Sequence, residues 1–459
     1  MLNNNTICAI ATAPGGAIGI IRISGSEAIS IADRIFRPIG SSLSLSERKA
    51  YTLAFGNIVN SDGDVVDEVL VSIFRAPHSY TGEDSVEISC HGSAYVLQQV
   101  MLLLTENGCV PAGPGEFTQR AFLNGKMDLS QAEAVADLIS STNKATHDMA
   151  MSQLKGHFSN ELADLRAHLL KLTSLLELEL DFSDHEELEF ADRTELKTLA
   201  EEIHCRLDNL THSFQAGNAI KKGIAVALIG ETNVGKSTLL NALVGEERAI
   251  VSDIAGTTRD TIEDTLVLDG ILYRFIDTAG LRETQDEIER LGIARSRQAA
   301  EEAQIVIEIQ GAPQPSRSPS LCREGRGGSC GSYIRVVNKA DLLPAVPTTS
   351  EDIENTEAPI YISAKNKQIA PLLARLKAIG CQLTATRNAA TISNIRHYEA
   401  LTRADEAIQR VQEGLAAGVS GEFLSMDLHD SLNALGEVTG QITSNEVLHS
   451  IFSHFCIGK

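Results

Sequence analysis

The chain has 459 residues, room for about three domains of ~150 residues each, so it should not be read as one fold. Its formal charge of −22, with no Lys/Arg-rich block, argues against tight unaided binding to a nucleic-acid backbone, because neutralising phosphates is what drives such binding. Eight cysteines without Cys-x-x-Cys or Cys/His metal spacing, no leader-like segment and no apolar run of about 20 residues argue against secretion and a membrane span, so we expect a cytoplasmic protein.

Residues 1–118 carry short apolar runs broken by Gly, Pro and Asn, such as Gly19-Ile20-Ile21-Arg22-Ile23-Ser24 and Val69-Leu70-Val71-Ser72-Ile73-Phe74. That pattern predicts an α+β domain with a substantial sheet. From Leu129 to Gln215 the period becomes ~3.6, with Ala132, Val135, Ala136, Leu138 and Ile139, then Leu162, Leu165, Leu169, Leu172, Leu176 and Leu180 at helical spacing. Long consecutive helices are expected over 119–216. Next comes an apolar strand, Ile224-Ala225-Val226-Ala227-Leu228-Ile229, followed by Gly230-Glu231-Thr232-Asn233-Val234-Gly235-Lys236-Ser237-Thr238 and a helical pattern. This order is that of a phosphate-binding loop: glycines let backbone N–H groups curl around a β-phosphate, Lys236 reaches the β/γ oxygens, and Ser237 offers a hydroxyl to Mg²⁺.

Tyr273-Arg274-Phe275-Ile276 reads as a second strand, and Asp277-Thr278-Ala279-Gly280 follows it, placing Asp277 toward the Mg²⁺ shell and the Gly280 amide near a γ-phosphate. The stretch Gly311 to Ser332 is rich in Pro, Ser, Arg and Gly, and predicts an irregular surface segment between two strands, where a helix would usually stand. Its Cys322 and Cys330 lack the neighbours a metal site needs. Ile334-Arg335-Val336-Val337 is a further strand, ending in Asn338-Lys339-Ala340-Asp341. The Asp341 carboxylate can accept from the N1–H and exocyclic amine of guanine, a donor pair that adenine lacks, which favours GTP over ATP. Pro359-Ile360-Tyr361-Ile362 leads into Ser363-Ala364-Lys365, which completes a base pocket with a backbone N–H for the guanine O6. We place the G domain at 217–381. Ile392, Tyr398, Ala400, Leu401, Ala404, Ile408 and Val411 then resume a helical pattern that runs through Ile451, so 382–459 completes a helical domain interrupted by the nucleotide-binding one.

Four motifs in this order resemble the Ras-like P-loop GTPases. The chain as a whole resembles the tRNA-modification GTPase family MnmE, also called TrmE. Beyond the G motifs, the likeness rests on Gly115-Glu116-Phe117-Thr118-Gln119-Arg120-Ala121-Phe122-Leu123-Asn124-Gly125-Lys126, on Gly256-Thr257-Thr258-Arg259-Asp260, on Asp277 to Glu283, and on the ending Phe455-Cys456-Ile457-Gly458-Lys459. It implies a multidomain fold: an α+β N-terminal folate-binding-like domain, a discontinuous all-α helical domain, and an inserted α/β Ras-like P-loop GTPase domain.

The resemblance spreads nucleotide contacts over Asn233, Val234, Gly235, Lys236, Ser237 and Thr238, over the loop Ser252, Asp253, Ile254, Ala255, Gly256, Thr257 and Thr258, and over Asp277, Thr278, Ala279 and Gly280. It completes them with Asn338, Lys339, Ala340, Asp341, Ser363, Ala364 and Lys365. Leu281 stands where Ras carries a water-positioning Gln, so another group must orient the water. The resemblance points to Glu289, acting through a bridging water; read from residues alone, Asp286 to Arg290 is also the composition of a solvated acidic helix start. Lys236 and Thr258 join Glu289 as the catalytic set, with Thr258 adding a hydroxyl to Mg²⁺ beside Ser237. Arg259 and Arg282 are alternative sources of positive charge. In the family that charge comes instead from K⁺, held by Asn233 and by the loop at Ser252, Ile254 and Thr257, and its loop closes when two G domains meet. Such a cation would offset charge growing on the β–γ bridge.

A second site follows from the same likeness. Arg22, Glu87, Lys126 and Lys459 are implied to hold a 5-formyltetrahydrofolate-type one-carbon folate, with the Cys456 thiol in the adjacent tail; read from residues alone, Arg22, Glu87 and Lys126 are ordinary surface charges. No Gly-x-Gly-x-x-Gly dinucleotide fingerprint or redox-metal cluster appears in the chain, so the modification chemistry needs a partner. The resemblance implies the FAD-containing flavoprotein MnmG in a heterotetramer, a homodimer of this chain, and installation of an aminomethyl-type (carboxymethylaminomethyl) group at C5 of the wobble uridine, position 34, of certain tRNAs. The competing expectations are a regulatory Ras-like switch and a ribosome-assembly GTPase. The acidic composition offers no basic RNA-binding module for the second.

Overall fold

The computed structural model describes residues 5–13, 15–181, 193–231, 233–246, 264–276, 303–311, 332–343, 358–384 and 391–458. The chain forms two compact units, one made of 1–139, 153–170 and 429–459, the other of 140–152 with 171–428.

The first unit is built on a seven-stranded sheet. Its strands are β1 (Ile7–Ile10), β2 (Ile18–Ser24), β3 (Phe36–Pro38), β4 (Thr52–Val59), β5 (Val65–Phe74), β6 (Ser85–His91) and β7 (Val110–Pro111), in the spatial order β3-β4-β5-β6-β2-β1-β7. All neighbours are antiparallel except β1 and β7. Period-two alternation decides the faces. Ile21 and Ile23 of β2 and Val86 and Ile88 of β6 point into one core, covered by α1 (Ala28–Ile35) and α2 (Ala94–Glu106) through Ile31, Ile35, Leu97 and Leu104. Arg22 and Glu87, one residue out of step, are left on the other face, where α3 (Glu116–Leu123) seats Phe117 against Ile7, Ala9 and Ala112. A smaller cluster joins Leu129 and Ala132 of α4 (Leu129–Ser140) to Leu448, Phe452 and Phe455, the first two in α12 (Asn445–Ser453).

Between these stretches run α5 (Lys144–Leu154), α6 (His157–Asp181), α7 (Arg193–Lys222), α10 (Ile395–Ala417) and α11 (Gly421–Thr439). The leucines predicted at helical spacing, Leu162, Leu165, Leu169, Leu172 and Leu176, are all buried along α6. Within the second unit α7 packs along α10, burying Ile203, Leu207 and Leu210 with Leu401, Ala404 and Ile408. A His204–Asp405 pair at 2.7 Å and a Phe214–Tyr398 ring stack at 4.5 Å join the two helices.

The second sheet has six strands: β8 (Ile224–Ile229), β9 (Asp264–Leu268), β10 (Ile271–Ile276), β11 (Ile305–Gly311), β12 (Ser332–Asn338) and β13 (Ile360–Tyr361), in the order β13-β12-β11-β8-β10-β9. Only the edge strand β9 is antiparallel to its neighbour. Such a sheet is buried on both faces, so its strands read as nearly continuous apolar runs; α8 (Lys236–Glu246) and α9 (Ala370–Thr384) contribute Leu239, Leu243, Leu372 and Leu376 to its core. The irregular stretch expected from Gly311 to Ser332 is shorter than that at both ends. Gly311 pairs with Asn338 and Ser332 with Ile305 in the β11–β12 ladder, because backbone pairing does not depend on the polarity of a terminal side chain. Residues 312–331 lie outside the described part.

The chain leaves the helices at Lys222 and returns before Ile395, and the two passages touch: the Ile392 N–H donates to Ser213 Oγ at 3.2 Å. Close entry and exit points are what make an insertion into a helical domain sterically cheap. The fold is therefore multidomain, with an α+β N-terminal part, helices from two separate stretches of chain, and an inserted α/β part of Ras-like topology.

Candidate nucleotide-binding site

The loop between β8 and α8 carries the phosphate-binding residues. Gly230 (φ +150°), Asn233 (φ +65°) and Gly235 (φ +96°) take positive-φ conformations, the kind of turn by which a loop can cup its N–H groups around an anion. Gly235 has two reasons to lack a side chain: its positive φ, and a Cβ there would overlap the Asn338 Nδ2 atom. The Lys236 ammonium folds over the loop, donating to the Gly230 carbonyl at 2.5 Å and to that of Glu231 at 3.1 Å. Burial lowers its pKa from the ordinary lysine value, because a cation loses solvation there. Ser237 and Thr238 open α8 with exposed side chains, and the Ser237 hydroxyl has no partner among the described residues.

The base-recognition residues come to the same edge of the sheet. Asn338 ends β12 and is 3% exposed; its Nδ2 donates to the Val234 carbonyl at 2.9 Å, and its Oδ1 accepts from the Ala364 N–H at 3.0 Å. One side chain thus ties the phosphate loop to the second base motif. Lys339, at φ +64°, extends back over the loop to donate to the Asn233 carbonyl at 3.0 Å. The Ala340 N–H donates to the Ile362 carbonyl at 3.0 Å, starting a short 3₁₀ turn (Ala340–Leu342). Asp341 projects an exposed carboxylate whose Oδ1 accepts from the buried Ser363 hydroxyl at 2.6 Å, which holds its remaining lone pairs in one orientation.

One backbone N–H of Ser363-Ala364-Lys365 is expected to face guanine O6; that of Ser363 donates to the Gln368 carbonyl at 3.2 Å and that of Ala364 to Asn338. The expectation narrows accordingly: O6 must share the Ala364 N–H or take that of Lys365. Ser252, Asp253, Ile254, Ala255, Gly256, Thr257, Thr258, Asp277, Thr278, Ala279, Gly280, Glu289 and Lys459 lie outside the described residues. The chain order still puts Asp277 directly after β10.

In the first unit Arg22 and Glu87 are cross-strand partners, with Arg22 Nη2 and Nε both 2.9 Å from Glu87 Oε1. The Arg22 guanidinium lies 5.5 Å from the Tyr80 ring centre and 5.7 Å from that of Phe117, and its Nη1 donates to the Gly458 carbonyl at 3.4 Å. Tyr80 is fixed by its hydroxyl on Thr118 Oγ1 at 2.9 Å, and burial pushes its pKa up. The tail reaches this place because Ile457 bridges Pro114 in antiparallel fashion and the Gly115 N–H donates to the Cys456 carbonyl. The Cys456 thiol is exposed. Lys126 is anchored elsewhere, its Nζ donating to the Pro77 carbonyl at 2.9 Å.

Two family models cover the chain: that of the TrmE N-terminus, described as a GTP-binding protein, over residues 6–126, and that of the MnmE helical domain over residues 129–456. The chain belongs to the MnmE family. MnmE of Bacteroides thetaiotaomicron, named a tRNA modification GTPase, is 55% identical over 468 residues, covering 100% of both chains. Proteins of the same name from Parabacteroides distasonis and Flavobacterium johnsoniae are 54% and 50% identical over 99% and 100% of this chain, and over 100% of their own length. The FeoB G-domain of Methanococcus jannaschii aligns at 22% identity with a TM-score of 0.22, over 34% of this chain and 96% of its own, a likeness too slight to argue from.

Within this MnmE chain, sequence reasoning missed two things. The sequence places Asn338 in a base motif, whereas its amide is the brace between loop and base motif; an amide ending an apolar strand is the signal for it. Arg120 is 2% exposed and holds Glu116 at 2.8 Å and Glu83 at 3.2 Å, tying the first turn of α3 to the stretch before β6. Nothing in the local pattern distinguishes that arginine from a surface one.

Proposed function

We propose that the chain hydrolyses GTP to GDP and phosphate, and that this hydrolysis drives tRNA modification. The observation that carries the reading is the Asn338 brace, which ties the loop carrying Lys236 to the Ser363-Ala364 turn whose Ser363 hydroxyl holds Asp341. Loop amides and Lys236 would bind the β- and γ-phosphates, while the oriented Asp341 carboxylate would accept from the guanine N1–H and amine. The unpartnered Ser237 hydroxyl and the exposed Asn233 at the loop apex fit oxygen donors to cations. On this reading Ser237 with Thr258 would hold Mg²⁺, and Asn233 with Ser252, Ile254 and Thr257 would hold K⁺. The two ions would supply positive charge beside the phosphates. Glu289 would orient water through a bridging molecule.

The same reading makes the chain a homodimer that works with the flavoprotein MnmG, FAD being the partner's, on C5 of the wobble uridine of certain tRNAs in the cytoplasm. It divides the chain at 1–118, 119–216, 217–381 and 382–459. The Arg22–Glu87 pair, the aromatic rings around it and the Cys456–Lys459 tail would border the one-carbon folate site, with Lys126 on an adjoining loop. Steady-state hydrolysis of GTP and ATP by the full chain, in KCl and in NaCl, with Glu289→Ala alongside, tests it. GTP-selective turnover that rises in K⁺ and falls with Glu289→Ala is expected. Equal rates in both salts would remove the potassium role, and absence of GTP turnover would remove the reading.

A further inference from the structure

The segment 115–126 spends most of its polar side chains on one loop. Strands β5 and β6 pair as far as Phe74 and Ser85, so residues 75–84 form the hairpin loop between them. Thr118 Oγ1 and the Tyr80 hydroxyl share a hydrogen bond of 2.9 Å, Asn124 Nδ2 donates to the Thr81 carbonyl at 2.8 Å, and Lys126 Nζ donates to the Pro77 carbonyl at 2.9 Å. Arg120 Nη1 lies 3.2 Å from Glu83 Oε2. From the sheet side, the buried Ser24 of β2 shares a hydrogen bond of 2.7 Å with the buried Thr81 hydroxyl. A loop beyond the end of its ladder has no strand neighbour to hold it, so ties of this kind decide its conformation.

The loop carries Tyr80, whose ring centre lies 5.5 Å from the Arg22 guanidinium, as that of Phe117 lies 5.7 Å from it. The two rings are placed by different means. Phe117 is fully buried in α3 against Ile7, Ala9 and Ala112, so packing fixes it. Tyr80 is 37% exposed and sits in the loop, and its fixed point is the hydroxyl of Thr118, a residue with no exposed surface. A ring held over a guanidinium restricts the plane that group can adopt, and so aims its N–H groups. We infer that Thr118 and Asn124 are positioning residues of the Arg22–Glu87 site: they hold the 75–84 loop so that the Tyr80 ring lies against Arg22 before any ligand arrives. They act through Tyr80 and do not touch the ligand. Without them the loop would have to be ordered at the moment of binding, which costs affinity. The inference rests on the reading of this site as one that takes a one-carbon folate.

Calorimetric titration of the full chain with 5-formyltetrahydrofolate tests it. Thr118→Val is close to isosteric and deletes one half of the tether, while Tyr80→Phe keeps the ring and deletes the other half. Each is expected to weaken binding about fivefold, the effect of losing one neutral hydrogen bond. Because both remove the same bond, the double variant should bind within about twofold of either single one. Thr118→Ser keeps the hydroxyl and should bind within about twofold of the unaltered chain. A readout without ligand comes from the absence of tryptophan in the chain, which makes Tyr80→Trp a single emitter. Adding Asn124→Leu, at an exposed position, should shift that emission to the red and increase its quenching by acrylamide, at unaltered unfolding temperature. Full-strength binding by Thr118→Val and Tyr80→Phe, losses that add in the double variant, a Thr118→Ser variant no better than Thr118→Val, or emission unmoved by Asn124→Leu would each overturn this inference alone. Absence of 5-formyltetrahydrofolate binding by the unaltered chain would overturn the folate reading and this inference with it.

Discussion

Replacing Asn338 with Ala should uncouple the phosphate loop from the base pocket. The native side chain is almost fully buried and makes two hydrogen bonds of good length, 2.9 Å to the Val234 carbonyl and 3.0 Å from the Ala364 N–H. Deleting it leaves one buried acceptor and one buried donor unserved, each costing about 1–3 kcal/mol. Water entering the vacated space would recover part of that, so a net loss of about 3 kcal/mol is the working figure. Because the two freed groups belong to the phosphate loop and to the second base motif, most of this should appear as weaker binding, about a hundredfold in Kd. Titration of a fluorescent GDP analogue, with thermal unfolding of the nucleotide-free protein alongside, measures both parts. Asn338→Asp is the sharper control: it keeps the acceptor for Ala364 but turns a second oxygen toward the Val234 carbonyl, so it should bind at least as weakly as the alanine variant. A change in Kd within threefold for both variants, at unaltered unfolding temperature, would refute the brace.

Gly235→Ala combines a left-handed backbone with a clash on Asn338, and should weaken GDP binding at least about tenfold in the same titration. Glu87→Gln removes the charge opposite Arg22; with the two side chains 20% and 27% exposed, a cost of about 1 kcal/mol in chemical denaturation is expected. Burial, reinforced by Asp67, pushes the Cys90 thiol up to about 11 from 9.0. The folded state therefore holds its proton longer than the unfolded state does, and the resulting stability is complete below pH ~9 and lost as pH rises through ~11. Cys90→Ala should flatten that alkaline decline. At pH 8, iodoacetamide should label the exposed Cys456 and spare Cys90 in the native protein, as peptide mass mapping would show.

Local grammar accounts for what could be read in advance. The strand–loop–helix around Lys236 and the strands ending at Ile276, Asn338 and Tyr361 are where apolar runs and their terminal motifs put them, because each is decided by neighbours within about ten residues. The site's working geometry is not of that kind. Asn338 meets Val234 across 104 positions of chain, and Arg22 meets Glu87 across 65 and Gly458 across 436. No period or motif encodes such pairings. They follow from which strands become neighbours, and that order is settled by the burial of whole faces such as Ile21, Ile23, Val86 and Ile88. The polar partners are therefore selected by the apolar ones. Moving β2 one residue out of register against β6 would bury Arg22 in the α1–α2 core and expose Ile21 and Ile23, so the alternation that excludes that register also delivers the guanidinium to Glu87, Tyr80 and the tail. In the G domain the same logic runs through Val336 and Ile334: their burial carries Asn338 to the end of β12, at the depth where its amide reaches the Val234 carbonyl. The chemistry of both sites thus depends on apolar packing that touches no ligand. Core substitutions in β2 or β12 should accordingly disturb binding before they disturb the fold.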